Sequence, residues 1–211
     1  MAVLCGVLAS AGFSSARADA IFDFDAVTQG TQTAFSDTQN GITANFSSSG
    51  DPGGFGVGPS FFAPPIANNV LLSPGSNFET GSFIPLFATF DTPLYSVNLD
   101  FALNDFQTSG FTLQAYSGGF GGTFIGSSQA FGTIMEGGSF PQGSISFGNG
   151  MAFDSLQFTA DTAQNFAVDN ISVTSAPQPS PVPEPGTMAL MGVGLASLAA
   201  ARKRKKEKLK A

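Results

Sequence analysis

Tyr95-Ser96-Val97-Asn98-Leu99-Asp100-Phe101-Ala102-Leu103 decides the fold. Tyr95, Val97, Leu99, Phe101 and Leu103 share one side of an extended chain, while Ser96, Asn98 and Asp100 share the other. Successive side chains of a strand point to opposite faces of its sheet. The spacing therefore predicts a strand with one buried and one solvated face, as antiparallel sheets have. The same alternation resumes at residues 111–116, with Phe111, Leu113 and Ala115 inward.

Outward from these two runs the text stays β. Residues 21–25, 42–46, 83–90, a short piece around Phe124-Ile125, 144–147, 155–159 and 166–174 read as further strands. Residues 50–65, rich in glycine and carrying Pro52, Pro59, Pro64 and Pro65, predict a loop. Pro85 argues for an edge position or a bulge, and Asp91-Thr92-Pro93 for a turn. Gly118-Gly119-Phe120-Gly121-Gly122 and Gly148-Asn149-Gly150 punctuate the later strands. No helical pattern interrupts residues 21–181. The fold class expected is all-β, an antiparallel β-sandwich of jelly-roll type, with many of the 23 phenylalanines filling its core. Glycine and phenylalanine together also suit an aggregation-prone low-complexity chain. Orderly alternation favours the folded domain.

Charge is distributed unevenly. Seven of the eight Lys and Arg lie in residues 202–210, and the eighth is Arg17. Residues 21–181 hold twelve Asp and Glu and no basic residue, a formal charge of −12 with no internal salt bridge. Such a surface repels nucleic acid and anionic lipid, both of which need Lys or Arg to meet phosphate, and it attracts divalent cations. Histidine is absent and the one cysteine, Cys5, stands near the start. Ser-His-Asp and Cys-His catalysis, Schiff-base lysines and zinc sites are thereby excluded from the domain. Carboxylates, hydroxyls, Tyr95 and Tyr116 remain. Among twelve acids some pair meets a glycosidase's spacing by chance, so that signal is empty, and a non-enzyme is expected.

The last thirty residues have a different logic. Val182-Pro183-Glu184-Pro185-Gly186-Thr187 leads into residues 188–201, which carry no charge, and then into Arg202-Lys203-Arg204-Lys205-Lys206-Glu207-Lys208-Leu209-Lys210. As a helix the apolar run is roughly 21 Å long at about 1.5 Å per residue, short of the roughly 30 Å hydrocarbon layer. Flanking Lys and Arg can snorkel, and the basic side stays cytoplasmic. Pro-Glu-Pro, a short apolar helix and a basic tail, in that order, closely resemble the PEP-CTERM sorting signal of bacteria that produce extracellular polysaccharide. The resemblance implies an exosortase, a membrane-embedded cysteine transpeptidase, as partner. It also implies that Pro183, Glu184 and Pro185 are the recognised residues, and that the transmembrane helix 188–201 and tail 202–210 are removed. A plain tail anchor is the simpler alternative. The Pro-rich linker 175–181 would hold the motif clear of domain and membrane.

Residues 1–20 read as a secretory signal for signal peptidase, with Ala18-Asp19-Ala20 as the cleavage site. The lack of a positive leading region predicts a start further upstream. The ectodomain then spans 21–174, and residues 182–211 form the sorting signal.

Two candidate sites remain. The closing run Phe166–Val173, with Asp169-Asn170-Ile171, resembles the last strand of jelly-roll domains in PEP-CTERM proteins and of carbohydrate-binding modules. In those modules the first and last strands often share a structural calcium. The resemblance makes Asp23, Asp25 and Asp169 a candidate calcium set, calcium wanting six to eight oxygen ligands. The alternative is three solvent-facing acids. Sugar sites stack rings on aromatic side chains. With Tyr95 read as inward, Phe61, Phe62 and Phe120 in glycine-rich loops are the candidate glycan contacts, against loop anchoring as the plain reading. The function expected is an exported structural protein of the surface or matrix, associated with extracellular polysaccharide. The alternative is a glycan-binding module.

Overall fold

The computed structural model describes residues 19–49, 55–62, 64–73, 84–104, 110–135, 140–161, 165–175 and 194. The signal-peptide reading up to residue 18 and the sorting-signal readings at 182–211, Gly194 apart, lie outside them. Among the described residues no helix is long and apolar enough to cross a membrane.

The domain, Arg17–Ala176, is all-β and is built around one strand. β7 (Leu86–Leu103) runs for 18 residues and belongs to two layers. Its first half lies between β4 (Ile42–Ser48) and β12 (Phe153–Ala160). Beyond β4 comes β3 (Ala34–Gln39). Beyond β12 come β8 (Gly110–Ser117) and β9 (Thr123–Phe131). The second half of β7 lies between β13 (Phe166–Ser175) and β11 (Pro141–Phe147), which carries β10 (Thr133–Ile134). The far edge of β13 is shared by β1 (Asp19–Phe22) and β6 (Asn69–Leu72), and β6 leads to β5 (Phe55–Pro59) and β2 (Gly30–Gln32). Every pairing is antiparallel.

The two layers enclose one core dominated by phenylalanine. Phe101 of β7 stacks on Phe111 of β8 at 4.6 Å and 7°, and Phe166 of β13 meets Phe111 edge-on at 5.3 Å. Phe147 of β11 meets Phe153 of β12 at 5.5 Å, and Phe22 of β1 meets Phe46 of β4 at 6.1 Å. Each pair joins one layer to the other, and such offset or edge-on pairs add to the area they bury. A second, small apolar cluster lies on the outer side of the β7–β13 layer. There Ile66 and Val70 pack on Ala102 and Ala167, so the loop at 64–68 covers that face.

Val97, Leu99, Phe101 and Leu103 are buried and Asn98 is exposed, as the alternation predicts. Tyr95 departs from it. Leu94, paired with Phe153 and Ser175 at a register irregularity, enters the core one residue early, which leaves Tyr95 and Ser96 half-buried. Asp91-Thr92-Pro93 is not a turn. The strand continues through it and changes layers there, where Pro93 has no N–H to give to a ladder. The loop expected at 50–65 contains β5, whose residues Phe55 and Val57 reach the core. β1 ends at Phe22, so Asp23 and Asp25 follow the first strand instead of lying on it. It begins at Asp19, and Ala20 is fully buried opposite Val173.

Candidate functional site

The outer side of the β4–β7–β12–β8–β9 layer is unlike the other surfaces. Where Leu86, Ala88, Leu113, Leu156 and Phe158 point inward, their neighbours must point out. Register then sets Gln157 between Phe87 and Gln114, with Thr159 beside Thr112. Asn45 lies beside Thr89, and Ser127 beside Gln114. These outward positions hold mainly amides, hydroxyls and rings, with Asp91 two residues on from Thr89 and Asp161 accepting from Gln129.

The rings form a row. Phe120 packs on Phe87 at 4.3 Å, Tyr116 lies 6.4 Å from Phe120, and Phe124 lies 5.6 Å from Tyr116. Phe120 and Phe124 are 39% and 54% exposed. The Tyr116 hydroxyl donates to Gln114 Oε1 at 3.1 Å. Phe120 belongs to the β8–β9 hairpin, yet it reaches Phe87 two strands away, so the hairpin loop folds back over the sheet.

Backbone chemistry holds that loop in place. Gly118, Gly119 and Gly121 have φ of 83°, 80° and 86°, a region open to glycine at little cost. The Gly118 and Gly119 amides donate to Asp154 Oδ2 and Oδ1 at 2.8 and 3.0 Å, and the Ser155 hydroxyl donates to Oδ1 at 2.8 Å. Burial pushes the Asp154 pKa up, but the Gly119 and Gly118 amides with the Ser155 hydroxyl outweigh it and hold the carboxyl below its usual range. An ionised Asp154 thus fixes the turn that presents Phe120.

Phe61 and Phe62 lie elsewhere, beyond β5. Their rings are 4.3 Å apart, and Phe140 closes a triangle at 5.8 and 5.7 Å. Phe61 is 60% exposed, whereas Phe62 packs on the small apolar cluster. Both border a mainly apolar pocket of about 210 Å³ lined also by Leu72, Ser73, Asn104 and Asn165. Asn165 Oδ1 there is buried and accepts no hydrogen bond. The three predicted glycan contacts therefore divide between two places.

The acids also divide. Asp169 is 2% exposed and accepts from the Asn170 amide at 2.8 Å and the Ala67 amide at 3.3 Å. Burial raises its pKa to about 6; those two hydrogen bonds oppose the rise, and the charges of Asp25 and Asp100 add to it. Asp25 accepts from the Asn69 amide at 3.1 Å and from Asn68 Nδ2 at 3.0 Å. Asp100 accepts from Asn170 Nδ2 at 3.0 Å and from Ser144 Oγ at 2.6 Å. Asp23 is exposed and instead accepts from the Asp25 amide at 3.3 Å. Among the described residues no three acidic, histidine or cysteine side chains are grouped to hold a metal ion, so Asp23, Asp25 and Asp169 are not assembled as a calcium set. Asp25 and Asp169 are instead engaged in part by Ala67, Asn68 and Asn69.

Sequence reasoning singled out Phe120 but missed Phe87, Phe124, Gln114 and Gln157 as its neighbours. The available signal was the run of uncharged polar residues at the outward positions of successive strands.

No curated protein matches the chain. Among solved structures, the K2 cleaved adhesin domain of Lys-gingipain is similar at 15% identity and a TM-score of 0.47, covering 75% of this chain and 98% of its own. A carbohydrate-binding module of family 28, specific for non-crystalline cellulose, is similar at 10% identity and a TM-score of 0.41, covering 61% and 86%. A family 11 carbohydrate-binding module of a Clostridium thermocellum cellulosomal cellulase is similar at 14% identity and a TM-score of 0.37, covering 79% and 99%. Residues 181–205 match the family model of the PEP-CTERM protein-sorting motif, which implies exosortase processing and points to an exported protein, membrane-anchored before processing.

Proposed function

We propose that this chain is a non-catalytic exported protein. On this reading its β-domain is secreted, held briefly at the inner membrane, then processed and released to the surface or extracellular matrix, where it acts as a structural component of the polysaccharide. The observation that supports this is the PEP-CTERM motif at 181–205 behind a domain without histidine, cysteine or lysine. Pro183, Glu184 and Pro185 are the residues assigned to recognition, with 188–201 as the temporary membrane stop and 202–210 as its cytoplasmic lock. Intact-mass measurement of the extracellular protein tests it. The mature form should lack everything C-terminal to the motif, and Glu184→Ala should leave uncut chain in the inner membrane. Finding Lys210 on the extracellular form defeats the proposal.

A second reading, binding of glycan, is favoured by one observation: the Phe120 and Phe124 rings, 39% and 54% exposed, stand beside amides in a stretch, 21–181, that holds no basic residue. Aromatic faces stack on sugar rings, and amides pair with hydroxyls in either direction. Release of reducing ends from matrix polysaccharide would overturn the non-catalytic assignment and support a hydrolase.

A further inference from the structure

Resting on the glycan-binding reading, we propose that the outer face of the β4–β7–β12–β8–β9 layer, with the row Phe87–Phe120–Tyr116–Phe124, is a binding face for a single chain of neutral polysaccharide. Two outer faces exist, and the molecule treats them differently. That of the β7–β13 layer is covered by the chain's own loop, Ile66 sealing it against Ala102 and Ala167. That of the other layer presents its rings to solvent, with Phe120 and Phe124 39% and 54% exposed.

The chemistry of the face selects the occupant. Neighbouring rings in the row are 4.3, 6.4 and 5.6 Å apart and tilted 51°, 66° and 63° to one another, so the row runs across strands as a string of apolar contacts, which suits a polymer better than one sugar. Gln114 and Gln157, adjacent in register, flank the rings with side chains that both donate and accept. The acids on this face are already engaged, Asp154 by the Gly118 and Gly119 amides and Asp91 by the Thr43 amide, so a cationic partner has few carboxylates left to pair beside the rings. No basic residue stands anywhere in 21–181, so nucleic acid, uronate chains and sulfated chains meet only repulsion from a charge of −12. A second copy of the domain would bring the same charge. What remains is an uncharged chain rich in hydroxyls. The site is also preorganised: Asp154 holds the Gly118-Gly119 backbone, so Phe120 needs little ordering on binding.

The test is native affinity electrophoresis of the full chain through gels containing hydroxyethyl cellulose, xylan or dextran, with alginate as the anionic polymer. Retardation by at least one neutral polymer is expected. Phe120→Ala and Phe124→Ala should each weaken it about tenfold with an unchanged melting temperature, while Phe61→Ala leaves it intact. Phe124 is over half exposed, so its variant keeps the fold. Retardation lost in Phe61→Ala but kept in Phe120→Ala and Phe124→Ala would overturn this face and leave glycan binding standing. Retardation by alginate alone would overturn the neutral class. No retardation by any polymer would overturn the glycan-binding reading itself and the face with it.

Discussion

Asp100 of β7 stands directly opposite Asp169 of β13 in the antiparallel register. Two carboxylates so placed repel, and a like-charged pair across strands is destabilising. Asn170, at φ 50°, sits in the irregularity between them and donates to Asp100 while its own amide serves Asp169. The Asn170 and Ala67 amides donate to the two oxygens of Asp169, which offsets the repulsion.

The domain should therefore be more resistant to unfolding at pH 5 than at pH 7. Asp169 has a folded pKa of about 6 against 3.8 for an unburied aspartate, so the folded state binds its proton more tightly. Its contribution is fully present below the unfolded value and is lost as pH rises through the folded one. Across that window the change is on the order of 3 kcal/mol. Melting temperatures from pH 4 to 8 check this. Asp169→Asn should remove this part of the slope and Asp100→Asn flatten it only slightly, since burial is the main cause and the Asp100 charge a minor one; a slope unchanged in Asp169→Asn would exclude Asp169 as its source. Asp91 and Asp154, whose pKa values are lowered, act in the opposite sense, their contributions fading only as pH falls below the ordinary carboxylate range.

Leu99→Asp should abolish folding. Leu99 is fully buried in β7 opposite Ile145, and an unpaired charge there costs several kcal/mol. Circular dichroism of the variant should lose the β signature; a native spectrum would place Leu99 outside the core.

Asp154→Ala should free the Phe120 loop without melting the sheet. Hydrogen exchange at Gly118 and Gly119 should accelerate, since both amides lose their acceptor, while Leu113 and Ala115 in β8 stay protected. Equal acceleration throughout β8 would show that Asp154 supports the layer as a whole.

Gly41→Ala should destabilise the domain by about 1 kcal/mol, the usual penalty for forcing a Cβ into left-handed backbone. Gly41 has φ 79° and Asn40 has φ 49° in the two-residue turn between β3 and β4, where Asn40 Nδ2 also donates to the Asp19 carbonyl at 2.7 Å. The urea midpoint reads the change. No shift would mean that the hairpin adds nothing to global stability.

The amino-acid order alone determined the alternation of β7 and β8, the phenylalanine core and the absence of basic charge from the domain, because these depend on period and composition. It also determined the sorting signal, a linear motif read without a fold. β3 was missed although Asn40-Gly41 announces its hairpin, because the strand is too polar to show a buried face. β5 was missed because its glycines read as loop while its pairing comes from β6 and β2. Contacts between residues far apart in sequence were for the tertiary structure to decide. Only the strand order sets Asp169 against Asp100, and brings Phe120 onto Phe87 and away from Phe61. A period of two tells which way a side chain faces; it carries no information about which strand lies next to it, and that neighbour is what makes a site.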